Sequence, residues 1–561
     1  MAGSDVKKAR RKEQEERQRL KQKEGELGSG VNMCEVTAAN FQLLYPQIKE
    51  EIAKCDFVAI DTELTGLHTN SSPAGQLSLF DSPEERYGKL RPSVTRFTMS
   101  QIGLSLFTQE PDSTNRFSAL CYNFYLFPPS FGPLDAEFTF QSSSCSFLAK
   151  YGFDFKKFFR EGIPYLNLEQ ESRLQVLLAA GTWSLSNSAL KDMLKMTITE
   201  VSEWLVQAQE GDSLTLSGLP GLQVFEVQLM LRRGISNIWT EIEDQDKVVI
   251  QKVSYSKRTQ LENSVTDVCR VDRVLEAALG FTLVFRELVG ANKPLIGHNM
   301  LLDLMYIHDK FYRSLPESFA DFKTNIHKLF PSVFDTKHIS KQMKQEFQSL
   351  RIPNLFALHS ALERLVDLAQ HGPSVHHISG CEKYAESDCP HEAAFDAFIC
   401  GAVLLQLAKL LLINQGSVFE PRIPLIGEYL TAVEPYKNNV NLIRARVSFM
   451  SLSGADPQAE RPPILLVKVR RGWSSSPAEI AREFATFCSL DVRKESPRHY
   501  LLATNEWKGA RKILRTYKTH PVFQVEPYRY WTHSGTVTKA FRLCCSLAAA
   551  SLLVFFLGKS A

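Results

Sequence analysis

Four carboxylates and one histidine, spread over more than three hundred positions, constrain this 561-residue chain more than any other feature. Asp61 and Glu63 lie in FVAIDTELTGL, Asp303 in PLIGHNMLLDLMYIH, and His391 and Asp396 in HEAAFDAFICGAVL. If they work together, the first strand, a central strand-to-helix turn and a late helix must meet around one sheet. Four carboxylates suit two Mg²⁺ ions held close together, because Mg²⁺ prefers hard oxygen ligands and keeps some of its waters. Two such ions clamp the attacking and leaving oxygens of a phosphodiester during in-line displacement. The histidine near the fourth carboxylate is a candidate base for the attacking water. The pattern implies a metal-dependent nuclease.

Local geometry supports the grouping. Asp61 and Glu63 are two apart at the end of an apolar strand, so both side chains share one face. Asp303 lies in the first turns of a helix that follows the strand PLIGHN. His391 and Asp396 are five apart on, or at the start of, a long helix. Each element alone is common by chance; the ordered combination is specific.

The net charge of +3 is nearly balanced, so any RNA contact must come from a local basic lining rather than a global field. The 11 cysteines show no CxxC spacing, and without an N-terminal signal peptide they are expected to be reduced and cytosolic. Residues 1–32 are highly charged with no apolar stretch, which predicts a solvated, partly helical extension. Leu543 to Gly558 is uncharged, flanked by Arg542 and Lys559. It is slightly shorter than the ~18–20 residues of a spanning helix but has no polar face, which predicts a C-terminal membrane anchor. Its length and basic flanks suit a thin membrane, the endoplasmic reticulum or the outer mitochondrial membrane.

Along the chain, VTAANFQLLYPQIKEEIAKC reads as an amphipathic helix and FVAID as a buried strand. SSPAGQLSLFDSPEERYGKLRPS reads as a loop, and RFTMSQIGLSLF and FSALCYNFYLFP as a hairpin. Residues 167–253 break this rhythm and look like a small inserted α/β module. Strand–helix alternation around the motifs argues for an α/β core in two parts, 33–166 and 254–415. Residues 430–535 carry a β-α-β-β-α-β order, that of the small sandwich used by RNA-recognition motifs (RRM). The anchor occupies 543–558.

The segments NFQLLYPQIKEEIAKCDFVAIDTELTGL, FLAKYGFDFKKFFREGIPYLN, PLIGHNMLLDLMYIH, FDTKHISK and HEAAFDAFICG resemble the poly(A)-specific ribonuclease (PARN) branch of the DEDDh 3′-to-5′ exoribonucleases. The resemblance implies an RNase H-like core. In it Asp61, Glu63, Asp303 and Asp396 would hold two Mg²⁺ ions and His391 would orient or deprotonate water, releasing 5′-monophosphate nucleotides. It also implies that Lys337 meets the RNA backbone. By position, Asp335 is a strand-end carboxylate expected to support structure, and His298 and Asn299 are expected to serve the turn before the helix that bears Asp303. In two places the chain departs from the family. The inserted module lacks an Arg-x-x-x-His motif, which leaves RNA binding, dimerisation and scaffolding open for it. The RRM-like strands ILLVKV and HYLLATN offer only Tyr500 for stacking, with Lys468, Arg470, Arg471 and Trp473 as further RNA-contact candidates.

A PARN-like nuclease with a membrane tail is similar to the trimmer branch. That implies trimming of the 3′ ends of PIWI-interacting RNA precursors with a PIWI-type protein and a Tudor-KH scaffold as partners. The expected substrate is single-stranded RNA with a free 3′ end. A poly(A) deadenylase, a DNA exonuclease and an inactive RNA-binding scaffold are the alternatives.

Overall fold

The computed structural model describes residues 34–68, 76–111, 115–131, 134–180, 188–219, 222–243, 246–263, 270–343, 354–368, 372–378, 380–386, 388–414, 423–459 and 461–558. The expected charged extension lies outside them. The chain divides into two units. One holds residues 88–441 with the described residues before 75 and with 451–455; the other holds 76–87, 442–450 and 456 onward.

The first unit is built on a seven-stranded mixed sheet. Its first four strands are β1 (Glu35–Val36), β2 (Phe57–Leu64), β3 (Met99–Gln109) and β4 (Arg116–Tyr125). Helix α1 (Phe41–Lys54) buries Phe41, Leu44, Ile48 and Ile52, the apolar stripe of the expected amphipathic helix. The helix starts at Phe41 rather than Val36, because Glu35–Val36 instead pairs in parallel with Asn123–Phe124 of β4. β2, β3 and β4 pair antiparallel in sequence, so the expected hairpin forms.

The stretch expected as a loop contains a helix, Pro83–Arg96. Ser82 and Glu85 cap it reciprocally: Ser82 N donates to Glu85 Oε2, and Glu85 N donates to Ser82 Oγ. Tyr87, Leu90 and Val94 are buried along one side of it. Three apolar residues among so many polar ones are too weak a pattern to read without the tertiary contacts. Further on, helix α2 (Ser142–Lys150) ends at Gly152, whose φ of +80° needs a glycine.

Within the expected insert, strands β5 (Ser213–Leu216), β6 (Ile238–Glu243) and β7 (Lys247–Lys252) form a separate sheet in the order β5-β7-β6. It shares a core of Leu194, Val201, Val227, Leu231, Val248 and Ile250 with the helices Ser188–Gln207 and Gln223–Gly234. The helix Leu168–Ala180 is different. Its Leu174 packs with Val274 and Ala278 of the helix Arg270–Leu279, which follows the insert.

The sheet is completed by β8 (Leu295–Gly297), β9 (Val333–Asp335) and β10 (Ser374–His377). The order is β1-β4-β3-β2-β8-β9, with β10 pairing to β4. Three helices follow these strands: α3 (Leu301–Ile307), α4 (Thr336–Gln342) and α5 (Glu382–Glu386). The long helix α6 (Ala393–Asn414) is buried almost throughout. Among the described residues searched, it is the helix long and apolar enough to cross a membrane, but 89% of its apolar window is buried inside the protein, so it is the core helix of this unit.

The expectation of reduced cysteines meets one exception. Cys34 and Cys381 are disulfide-bonded across 347 residues, with Cα atoms 5.5 Å apart. No local spacing marks the pair, because it is the sheet, with β1 and β10 both on β4, that brings the two ends together.

The second unit contains strands β11 (Leu465–Val469), β12 (Leu490–Ser496), β13 (His499–Thr504) and β14 (Phe523–Pro527) in an antiparallel sheet of order β12-β13-β11-β14. The helix Pro477–Phe484 and helix α7 (Trp507–Thr516) cover one face, closing a core with Leu465, Val467, Tyr500, Leu502, Ile480 and Ile513. Tyr500 is thus a core residue, its hydroxyl donating to Ser475 O. The other face is met by residues 76–87, which precede most of this unit by hundreds of positions. Asp491 accepts from Leu79 N (2.7 Å) and Ser78 Oγ, and Arg493 stacks on Phe80 at 4.9 Å. Arg86, almost fully buried, pairs with Asp81 and donates to the carbonyls of Ile443 and Arg444. Helix α8 (Gly535–Gly558) contains the expected anchor, and among its described side chains Phe541, Leu543 and Leu547 are exposed.

Candidate active site

Register places the acidic pair. Asp61 sits opposite Gly103 and Glu63 opposite Gln101 on β3. A Cβ on Gly103 would lie 2.1 Å from the carbonyl of Ala393 and 2.2 Å from Ala394 N. The missing side chain therefore lets the start of α6 lie directly on the sheet, and that start carries Asp396, with His391 two residues before the helix.

The structure brings all five expected residues together. One ligand atom each of Glu63, His391 and Asp396 lies within 4.8 Å of the others. Thr62 Oγ1 donates to Asp303 Oδ1, tying the first turn of α3 to β2. Asp61 interacts electrostatically with Asp396, Asp303 and Glu63. Burial, and then the neighbouring carboxylates, push Asp61 and Glu63 well above the usual carboxylate range. Burial raises Asp303 to about 6 and Asp396 to about 7.

Four carboxylates close to one another, Glu63 and Asp396 buried and Asp61 and Asp303 partly so, fit a divalent cation, because an ion of opposite charge relieves both their desolvation and their repulsion. This predicts a pH-dependent metal effect. Without metal, the raised carboxylates bind more protons folded than unfolded between about pH 4 and 7, so stability is lost as pH rises through that window. Mg²⁺ is expected to raise the melting temperature more at pH 8 than at pH 5, as measured against a chelator control. An equal increment at both pH values would remove these carboxylates from the metal site.

His391 differs from the sequence expectation in placement. It precedes α6 and has a φ of +66°, a conformation few non-glycine residues adopt. Its N–H donates to Asp396 Oδ1 at 3.2 Å, and its Nδ1 is 3.9 Å from Asp396 Oδ2. The ring packs against Phe147 (centroids 4.6 Å) and Tyr151 (4.2 Å). Burial, then the Lys150 ammonium, lower its pKa, which keeps the ring neutral and able to accept a proton. The next residue, Glu392, is clasped by Lys383 Nζ (2.5 Å) and by the Tyr384 hydroxyl, both from α5. Just before α5 comes Cys381, held by the disulfide.

The supporting residues fall where expected. Asp335 is fully buried and accepts from the backbone N–H groups of Asn299, Met300, Lys337, His338 and Asn441, which leaves it a structural cap. His298 Nδ1 contacts Thr336 Oγ1 at 2.9 Å, and burial with nearby Lys337 lowers its pKa to about 3. Lys337 is half-buried in the first turn of α4. Sequence reasoning missed Phe147 and Tyr151. The only local sign was a pair of aromatics on a short helix, four apart, which remain 41% and 39% exposed.

A mixed sheet with clustered acids beside a late helix is an arrangement that could hold a divalent cation. Residues 36–404 match the CAF1 family ribonuclease, and the chain belongs to that family. It is a 3′-to-5′ exoribonuclease. It is 44% identical over 531 residues to the mouse (Mus musculus) poly(A)-specific ribonuclease PNLDC1, covering 94% of this chain and 99% of that one. It is 29% identical to the pre-piRNA 3′-exonuclease trimmer of Bombyx mori, covering 89% of this chain and 94% of that one. It is also 29% identical to human (Homo sapiens) poly(A)-specific ribonuclease PARN, covering 88% and 80%.

Proposed function

We propose that this chain trims the 3′ ends of PIWI-interacting RNA precursors at a membrane surface, with Asp61, Glu63, Asp303 and Asp396 holding two Mg²⁺ ions and His391 as general base. The cluster of Glu63, His391 and Asp396, with Asp61 and Asp303 among the same interacting acids, supports the catalytic part. Likeness over nearly full length to PNLDC1 and to the pre-piRNA trimmer supports the substrate. Bound Mg²⁺ would supply the charge that stabilises the attacking and leaving oxygens.

The protein's own groups do the rest. His391, neutral at physiological pH, accepts the water proton. Asp396 fixes the base through the His391 N–H, and the Glu392 clasp holds the segment from the other side. Lys337 offsets a substrate phosphate charge. Phe147 and Tyr151, exposed beside the base, stack the terminal nucleobase. Base–aromatic stacking contributes about 1–3 kcal/mol, so Phe147→Ala is expected to raise KM for RNA about 5–150-fold. A lower kcat with unchanged KM would instead mean that Phe147 only positions His391.

Exposed Phe541, Leu543 and Leu547 on α8 support membrane anchoring, and the outer mitochondrial membrane or the endoplasmic reticulum is the membrane we propose. PIWI-type and Tudor-KH partners, and a homodimer, belong to the same proposal. Likeness to PNLDC1 and PARN, both called poly(A)-specific ribonucleases, favours a second reading, a deadenylase. The test is degradation of 5′-labelled oligo(A) and mixed-sequence RNA with Mg²⁺ or chelator, each free and bound to a PIWI-type protein. Equal Mg²⁺-dependent ladders on both RNAs support trimming. A ladder confined to oligo(A) makes the chain a deadenylase, and no ladder on either overturns both readings.

A further inference from the structure

Residues 507–520 hold five cations and no acid, in a chain whose charges otherwise nearly cancel. On α7, Lys508, Arg511, Lys512 and Arg515 recur at i, i+3, i+4 and i+7, which places them on one face. All four are exposed, as is Lys518 just beyond the helix, while Gly509, Ala510 and Ile513 are buried on the opposite side. Among the described residues no carboxylate pairs with any of the five; Lys512 lies over the Phe487 ring. Like charges at this spacing destabilise the helix that carries them. A polyanion laid along the stripe would reverse that effect.

The rest of the unit narrows what the polyanion is. An RRM-type sheet ordinarily stacks bases on its open face. Here that face presents Leu466, Lys468, Leu501 and Ala503, three of them buried, and is met by Ser78, Leu79 and Phe80. Base stacking on the sheet is therefore blocked, which leaves backbone contact through α7, with half-exposed Trp507 at one end of the stripe. A lipid surface fits less well. Val467 and Val525 fill the core, so their neighbours Lys468 and Glu526 point to the other face, where they pair with each other. His533 also meets Glu526 (3.2 Å), two residues before α8 begins. The apolar helix thus leaves from the side of the sheet opposite α7.

We propose that the exposed face of α7 with Lys518 binds the phosphate backbone of single-stranded RNA upstream of the 3′ end, as a second substrate contact. It rests on the exoribonuclease class and not on the precursor or membrane readings. The test compares the full chain with K508Q/R511Q/K512Q/R515Q/K518Q and with the charge-conserving K508R/R511K/K512R/R515K/K518R. Substrates are 5′-labelled RNAs of about 30 and about 6 nucleotides, the longer one able to engage both contacts. For the long RNA the neutral variant is expected to lose about tenfold or more in kcat/KM through KM. The slope of log kcat/KM against log salt should shrink by about 2–3.5, from ~0.7 per neutralised phosphate. Short-RNA turnover and the charge-conserving variant should match the parent.

Unchanged long-RNA kinetics and salt slope would overturn the proposal. So would weakened binding to phosphatidylserine vesicles with RNA kinetics intact, which would assign the stripe to lipid. If the fivefold variant does not fold, R511Q/K512Q and R515Q/K518Q carry the same comparison. Should the parent fail to degrade even the short RNA, the exonuclease reading fails separately, and anisotropy binding of the long RNA still decides the stripe.

Discussion

Asp61→Asn and Asp396→Asn are each expected to lower kcat by about 10³-fold or more while leaving the fold intact. In the proposed two-metal site each substitution would remove a charged ligand, and loss of about 4 kcal/mol of transition-state stabilisation corresponds to roughly three decades in rate. The stability signature sets this apart from general damage. Asp61 is raised by burial and by Asp396, Asp303 and Glu63, so the metal-free protein holds mutually repelling acids. Replacing one with a neutral amide should leave the melting temperature in chelator unchanged or higher, and should shrink the increment Mg²⁺ gives. A variant that turns over RNA within tenfold of the parent would take that aspartate out of the metal set.

Gly103→Ala should be almost as damaging, although Gly103 touches no substrate. Its Cβ would meet the Ala393 backbone at 2.1 Å, so either β3 or the start of α6 must move. Backbone cannot yield as a side-chain tip does, and overpacking of this kind costs about 1–3 kcal/mol of stability or more. The functional effect is larger, because Ala393 lies between His391 and Asp396. A shift of about 1 Å in a catalytic group costs on the order of 10²-fold in rate. Steady-state kinetics should show kcat falling about 10²-fold, with the circular dichroism spectrum retained. Gly401→Ala is the contrast, because it meets the ring of Phe107, a side chain, and should retain more activity at a similar loss of stability.

The candidate site residues were legible because the pattern that marks them is written locally. A DxE at the end of an apolar strand, an acid opening a helix after GHN, and HxxxxD at a late helix each carry their own secondary-structure context. The expected amphipathic helix and the hairpin were legible from periodicity for the same reason. The helix Pro83–Arg96 was not, because its apolar stripe is only Tyr87, Leu90 and Val94 in an otherwise polar segment that also contains Pro92. The apolar run of α6 was equally ambiguous by composition. Its burial against β2 and β3 is what separates a core helix from a membrane span.

The sequence by itself determined the chemistry: which acids and which histidine are available, on what kind of element, and in what order. Those are properties of short stretches, and short stretches set strand and helix periodicity. The tertiary structure decided everything that depends on separation. It set His391 at a positive φ before its helix, walled in by Phe147 and Tyr151. It made Gly103 the point where α6 meets the sheet, joined Cys34 to Cys381, and laid residues 76–87 across the C-terminal sheet. No local pattern encodes such contacts, because their energy comes from burial and close packing between segments that the chain separates by tens to hundreds of residues.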